Sequence, residues 1–165
     1  MNETELLQKI KDAEQQLADA RRMLEEYRKS GAVRPDIDEE YYYIDSYARV
    51  IRTTWLDDEN LDKIKFEIGN VFRTYDDAER EIRRRKTHQK LKELAAELNT
   101  EPIDLNNCLQ YKWFVYYHAI DKNVRMTYTR ATYAPGKVYF TECCLDMILE
   151  AIPEEELIEY CKGEY

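Results

Sequence analysis

Glycine is scarce in this 165-residue chain, at four residues, as are proline and cysteine at four each and histidine at two. So few glycines leave no phosphate-cradling loop: neither a P-loop, nor GxGxxG, nor the GxSxG nucleophile turn occurs. The histidines, His88 and His118, lie 30 residues apart without HExxH spacing, which argues against a metal site. Cys108, Cys143, Cys144 and Cys161 form no CxxC pair, and neighbours on a helix such as Cys143 and Cys144 point in different directions. Free and mostly buried thiols are expected, with no zinc knuckle and no disulfide framework. No apolar run approaches the roughly 20 residues of a membrane helix, so no membrane partner is expected. A basic stretch followed by an apolar one is also missing from MNETELLQKIKD, so the expectation is a protein of the cytoplasm. No cofactor is called for, and an enzyme is not expected.

What is present begins with a heptad pattern. Ile10, Leu17 and Leu24 recur every seven residues, and Leu6, Ala13, Ala20 and Tyr27 do so on the neighbouring row. This predicts a long helix over residues 1–30, with Ser30-Gly31 and Pro35 ending it. The alanines at 13 and 20 permit close approach of a second helix. Three uses stay open: packing on the chain's own body, a homodimer through Ile10, Ala13, Leu17, Ala20 and Leu24, or docking on another protein.

After a linker over 31–38, an α+β body is expected over 39–165. Tyr41-Tyr42-Tyr43-Ile44, the turn formers Asp45-Ser46 and Val50 to Trp55 read as a β-hairpin. Leu56 to Ile68 is acidic and loosely helical. Asp57-Asp58-Glu59 beside Asp62 reads first as a solvated helix start, against a catalytic or magnesium-binding role. The string GNVFRT (69–74) then supplies a Gly-Asn turn, a brief extended entry and a capping Thr74 with Asp77 three residues on. A helix from Tyr75 to Leu98 should follow, stopped by Asn99 and Pro102. Ala78, Ile82, Leu91, Leu94, Ala95 and Leu98 give it an apolar face at both ends, and the middle is expected to lie mostly outside the core.

The scheme then repeats. Tyr111 to Ala119 is a strong strand, Asp121-Lys122-Asn123 a turn, and Val124 to Tyr133 a partner strand. GKVYFT (136–141) leads into a helix capped by Thr141 and lined by Cys144, Leu145, Ile148, Leu149 and Ile152. Pro153 at a first helical position opens a final acidic helix with Glu154-Glu155-Glu156. Two modules, 39–98 and 108–152, each a hairpin, a short strand and a helix, predict one antiparallel sheet with helices on one face. The repeated string arises either from duplication or from shared turn and capping grammar.

YYYI, Trp55 with acidic neighbours, GNVFRTYDDAE, LAAELN and the aromatic strand around Lys112-Trp113-Phe114 resemble a loose group of small proteins carried by phages and prophages. That group has a recurrent G-N-x-F-x-T-x-E-E-A pattern, in which Asp76-Asp77-Ala78 replace Glu-Glu-Ala here. The resemblance covers about residues 40–120 and carries no catalytic residues. It implies a mobile-element accessory protein in the bacterial host cytoplasm that binds and blocks host machinery, as anti-CRISPR proteins do.

Charge suggests where such binding would occur. Residues 80–92 hold Arg80, Arg83, Arg84, Arg85, Lys86, Lys90 and Lys92 against Glu81 alone, a balance of +6 in a chain of −9, which leaves −15 elsewhere. The first expectation is a non-catalytic inhibitor docking on a host protein, such as a nucleic-acid-handling nuclease whose basic groove accepts Glu154, Glu155 and Glu156. The alternative is direct nucleic-acid binding through Arg80, Arg83, Arg84, Arg85 and Lys86, with sheet tyrosines assisting. Against both stands a solvated helix face with pairs such as Glu79–Arg83 and Glu81–Arg85. Fourteen tyrosines add a large supply of amphipathic contact surface.

Overall fold

The computed structural model describes residues 34–56, 60–130 and 136–163. The N-terminal heptad segment, with Ile10, Ala13, Leu17, Ala20 and Leu24, lies outside the described residues. The architecture is α+β, with four helices and two small antiparallel sheets among the described residues. The chain divides into two compact units between Ala78 and Glu79.

In the first unit, β1 (Glu40–Ile44) pairs with β2 (Val50–Thr54) in the register Tyr42↔Arg52, and α1 (Asn60–Glu67) follows. The connecting loop is built by Asp45, whose carboxylate accepts the Tyr47 and Arg49 N–H groups at 2.9 Å each. These Asx-type bonds let Ala48 take a positive φ of 57°. Tyr41, Trp55 and Val71 are buried, with Tyr43 and Phe66 against them. The rings meet edge to face, at 5.8 Å for Tyr41–Trp55 and 6.2 Å for Trp55–Phe66.

Gly69 ends α1. At φ +68° its N–H reaches the Phe66 carbonyl and the Asn70 N–H reaches that of Lys65, the double closure of a Schellman turn. Phe72 then exchanges two 2.8 Å backbone hydrogen bonds with Tyr42. Thr74 caps α2 (Tyr75–Leu98) as expected: the Asp77 N–H donates to Thr74 Oγ1 at 3.1 Å, and the hydroxyl donates to the Asp77 carboxylate at 2.6 Å.

The second unit holds the rest of α2, the hairpin of β3 (Lys112–His118) and β4 (Asn123–Thr129), α3 (Leu145–Ala151) and α4 (Glu154–Lys162). Its core draws Leu91 and Ala95 from α2, Val115 and Val124 from the hairpin, Val138 and Phe140 from the joint, and Ile148, Ile152, Leu157, Tyr160 and Cys161 from α3, its end and α4. Each large aliphatic residue so buried contributes about 1.5–3 kcal/mol.

Several expectations are corrected. The expected single sheet is two two-stranded sheets, because each third segment contributes one bridge, Tyr42↔Phe72 or Trp113↔Phe140, before its chain turns away. Thr141 caps no helix: α3 starts at Leu145 behind Cys144, which makes no side-chain cap. The Thr141 hydroxyl instead accepts the Thr100 N–H at 3.3 Å. Pro153 is the N-cap of α4, with extended backbone, rather than its first helical residue. The middle of α2 does lie mostly outside the core, as expected, with Thr87 its one buried residue between Arg83 and Lys90. All four cysteines are free, yet Cys161 alone is buried, with Cys144 intermediate and Cys108 and Cys143 exposed. Asp62 is also buried, so its carboxylate is no solvated helix start.

Candidate interaction surfaces

The basic run of α2 and the acidic start of α4, predicted as rival contact surfaces, are brought together. Arg83 and Lys90 stand seven residues apart on one side of α2, and Glu156 and Glu159 three apart on one side of α4. Arg83 grips Glu159 with two hydrogen bonds of 2.8 and 2.9 Å, and Lys90 reaches Glu156 at 2.9 Å. Within α2, Glu81 takes Arg84 at 2.6 and 2.9 Å and Arg85 at 2.8 Å, while Glu79 sits 3.9 Å from Arg83. The Arg83 bond holds the Glu159 carboxyl below its ordinary range. Burial pushes Glu81 up, but the hydrogen bonds from Arg84 and Arg85 outweigh it and its pKa is lowered. Glu154 accepts the Val124 N–H at 3.2 Å, and Glu155 is exposed. Arg80 and Lys86 are exposed as well. Charge here stitches α2 to α4, each exposed pair contributing at most about 1 kcal/mol.

Inside that seam His88 Nδ1 lies 2.9 Å from the Tyr160 hydroxyl, and the rings stack at 5.9 Å. Tyr160 also donates to the Gly136 carbonyl at 3.3 Å. Burial raises the phenol to about 12. Burial also depresses His88, helped by the positive charges of Lys92 and Arg84.

The second surface is aromatic. On one face of the β3–β4 hairpin, Val115, Val124, Met126 and Tyr117 join the core. Toward the other end of the strands the same face continues into Trp113, which still packs against the core, and then into Tyr128, Tyr111 and Arg130, by the period-two alternation of each strand. Tyr128 is 49% exposed and Tyr111 39%, so the face leaves the core and enters solvent here. Tyr128 meets Tyr111 at 4.8 Å and Trp113 at 5.0 Å, both strongly inclined, and the Arg130 guanidinium lies 4.0 Å from the Tyr111 centroid. Such mutual contacts hold the rings in place. Leu109, 80% exposed, precedes them in the adjoining loop.

The same alternation on the other strand face carries Lys112, which is 1% exposed. Its ammonium is held by the carbonyls of Asn107, Gln110 and Arg130 at 2.6, 3.3 and 3.4 Å, which folds the loop over it. The first unit buries the opposite charge. Asp62, 4% exposed, accepts the Tyr41 hydroxyl at 2.5 Å, the Leu56 N–H at 3.0 Å and the Lys65 ammonium at 3.2 Å. Burial pushes its carboxyl up, yet these hydrogen bonds and the Lys65 charge together carry it below the ordinary range. Among the described residues no cluster of three or more His, Cys, Asp or Glu is placed to hold a metal ion. Within the same bounds, no helix is long and apolar enough to cross a membrane.

The platform was not singled out from sequence. The signal was there as Tyr111-x-Trp113 and Tyr128-x-Arg130, two alternating pairs, but only the register Trp113↔Tyr128 makes them neighbours. No protein-family profile, no curated protein and no solved structure matches the chain.

Proposed function

We propose that this is a non-catalytic binding protein that captures a protein partner through the platform of Tyr111, Trp113, Tyr128 and Arg130. The observation that carries this reading is the pre-packed, half-exposed cluster of inclined aromatic rings with the Arg130 guanidinium over Tyr111. Tyrosine, tryptophan and arginine are the residues most enriched among interface hot spots, and the two aromatics bury large areas at low entropy cost. The narrower reading, a phage or mobile-element accessory protein that inhibits a host defence protein such as a CRISPR effector nuclease, rests on the G-N-x-F-x-T resemblance alone. The alternative of nucleic-acid binding through residues 80–92 is weakened because Arg83, Arg84, Arg85 and Lys90 already face Glu159, Glu81 and Glu156.

Capture from bacterial lysate by the immobilised full chain tests this, with mass spectrometry to identify the retained protein. Tyr111→Ala with Tyr128→Ala is expected to lower affinity at least about tenfold, by about 1.4 kcal/mol or more. Glu155→Lys should leave capture intact. Retention unchanged in the tyrosine variant, or steeply salt-dependent binding of single-stranded DNA lost on Arg80→Glu with Lys86→Glu, would overturn the reading in favour of the charged helix.

A further inference from the structure

The outward side of α1 carries an apolar stripe with no role in the first unit's core. Leu61, Ile64 and Ile68 are 62%, 50% and 67% exposed, while Asp62 and Phe66 on the other side of the helix face inward. Their spacing of three and then four residues is that of a heptad seam, continued into the turn after the helix. Leu6, Ile10, Ala13, Leu17, Ala20, Leu24 and Tyr27, which lie outside the described residues, have the same alternation of four and three.

We infer that the α1 stripe is the docking seat of the chain's own residues 6–27. Three arguments single out this occupant. First, the area is small: three side chains fall well short of the roughly 800 Å² per partner that a stable intermolecular interface buries, so a free partner or a second copy gains too little here. A tethered segment does not face that shortfall, since its effective concentration is on the order of millimolar. Second, the chain outside the described residues ends within reach of α1, beside Trp55, whose ring meets Phe66 of that helix at 6.2 Å. The Arg34 guanidinium lies 5.0 Å from the Trp55 ring centroid, Arg73 donates to the Arg34 carbonyl at 3.2 Å, and the Asp38 N–H binds the Trp55 carbonyl at 3.0 Å. The next residue, Leu56, is tied to α1 by its N–H bond to Asp62. Third, Ala13 and Ala20 in the segment's seam allow the close approach that a helix as short as α1 needs to bury its three side chains.

Hydrogen exchange read by mass spectrometry on the full chain tests the inference. In Leu61→Ser with Ile64→Ser, amides of residues 6–27 are expected to exchange about tenfold faster than in the parent, while peptides of β1, α2 and α4 keep their protection and so show that the fold is intact. The mirror variant Leu17→Ser should release both the 6–27 stretch and α1. Equal exchange of residues 6–27 in parent and stripe variant would overturn the proposal. So would protection that grows with protein concentration over about a hundredfold range, because that dependence marks a second copy as the occupant.

Discussion

The two units use one local grammar and bury opposite charges. Each has a hairpin, a glycine at positive φ and a one-bridge strand against the hairpin's first strand, with Gly69 at +68° and Gly136 at +83°. Yet the first closes around the Asp62 carboxylate and the second around the Lys112 ammonium. The partners differ accordingly: an amide, a phenol and an ammonium surround the anion, and three backbone carbonyls the cation. A buried charge is tolerable when its hydrogen-bonding capacity is filled, and either sign of group serves to pin a loop. The joints differ as well. Asn70, inside the first, bonds the Ile44 N–H and carbonyl at 3.1 and 2.8 Å, whereas the corresponding position in the second is Lys137. There Asn99 at the end of α2 does the clamping, to the Thr141 N–H at 2.8 Å and the Tyr139 carbonyl at 3.1 Å.

Breaking the buried charges should show the largest effects. Asp62→Ala is expected to destabilise by about 3 kcal/mol, since it strips a buried hydroxyl, an amide and an ammonium of their acceptor, and Lys112→Met by about 2 kcal/mol. Chemical denaturation measures both. The pH dependence has a definite sign. The folded Asp62 is lowered, so its contribution is present above the ordinary aspartate value of about 3.9 and is lost as pH falls through the folded value. Its variant should therefore flatten the acid limb of the stability curve. His88 acts earlier: its depressed pKa means the folded state resists protonation, so stability begins to drop below about pH 6.5.

The asparagine clamps come next. Asn70→Ala and Asn99→Ala should each lose about 1–2 kcal/mol, for two hydrogen bonds to part-buried backbone groups. Equal losses in thermal melts would mean that the joints are clamped equally from different places in the sequence. A negligible loss at Asn99 would mean that the second joint is held by its core residues Val138 and Phe140 instead. The smallest contrast separates the threonines: about 1 kcal/mol for Thr74→Ala, which removes a cap, and about 0.5 kcal/mol for Thr141→Ala, which removes one 3.3 Å bond to Thr100. Thermal melts resolving no difference between them would assign Thr141 a larger role than its single bond suggests.

The amino-acid sequence determined the elements that local rules control. Both hairpins, the first joint and the span of α2 from Tyr75 to Leu98 were legible because β-branched and aromatic runs, turn residues and the Thr74–Asp77 box act within a few residues of chain. GKVYFT showed the limit of such reading. It shares glycine and threonine with GNVFRT, yet three residues after Thr141 stands Cys144, which lacks the carboxylate that accepts the Thr74 hydroxyl at Asp77, and the helix starts later. Pairing across the fold was decided by tertiary structure alone. The basic run 80–92 read as an open patch until α4 set Glu156 and Glu159 against it, 66 and 76 residues from their partners. The aromatic platform likewise depends on the β3–β4 register, and the burial of Asp62 on a phenol 21 residues away. Such contacts depend on which surfaces meet once the helices and hairpins pack, and hydrophobic burial drives that packing without marking in the sequence which charged or aromatic side chains will be brought together.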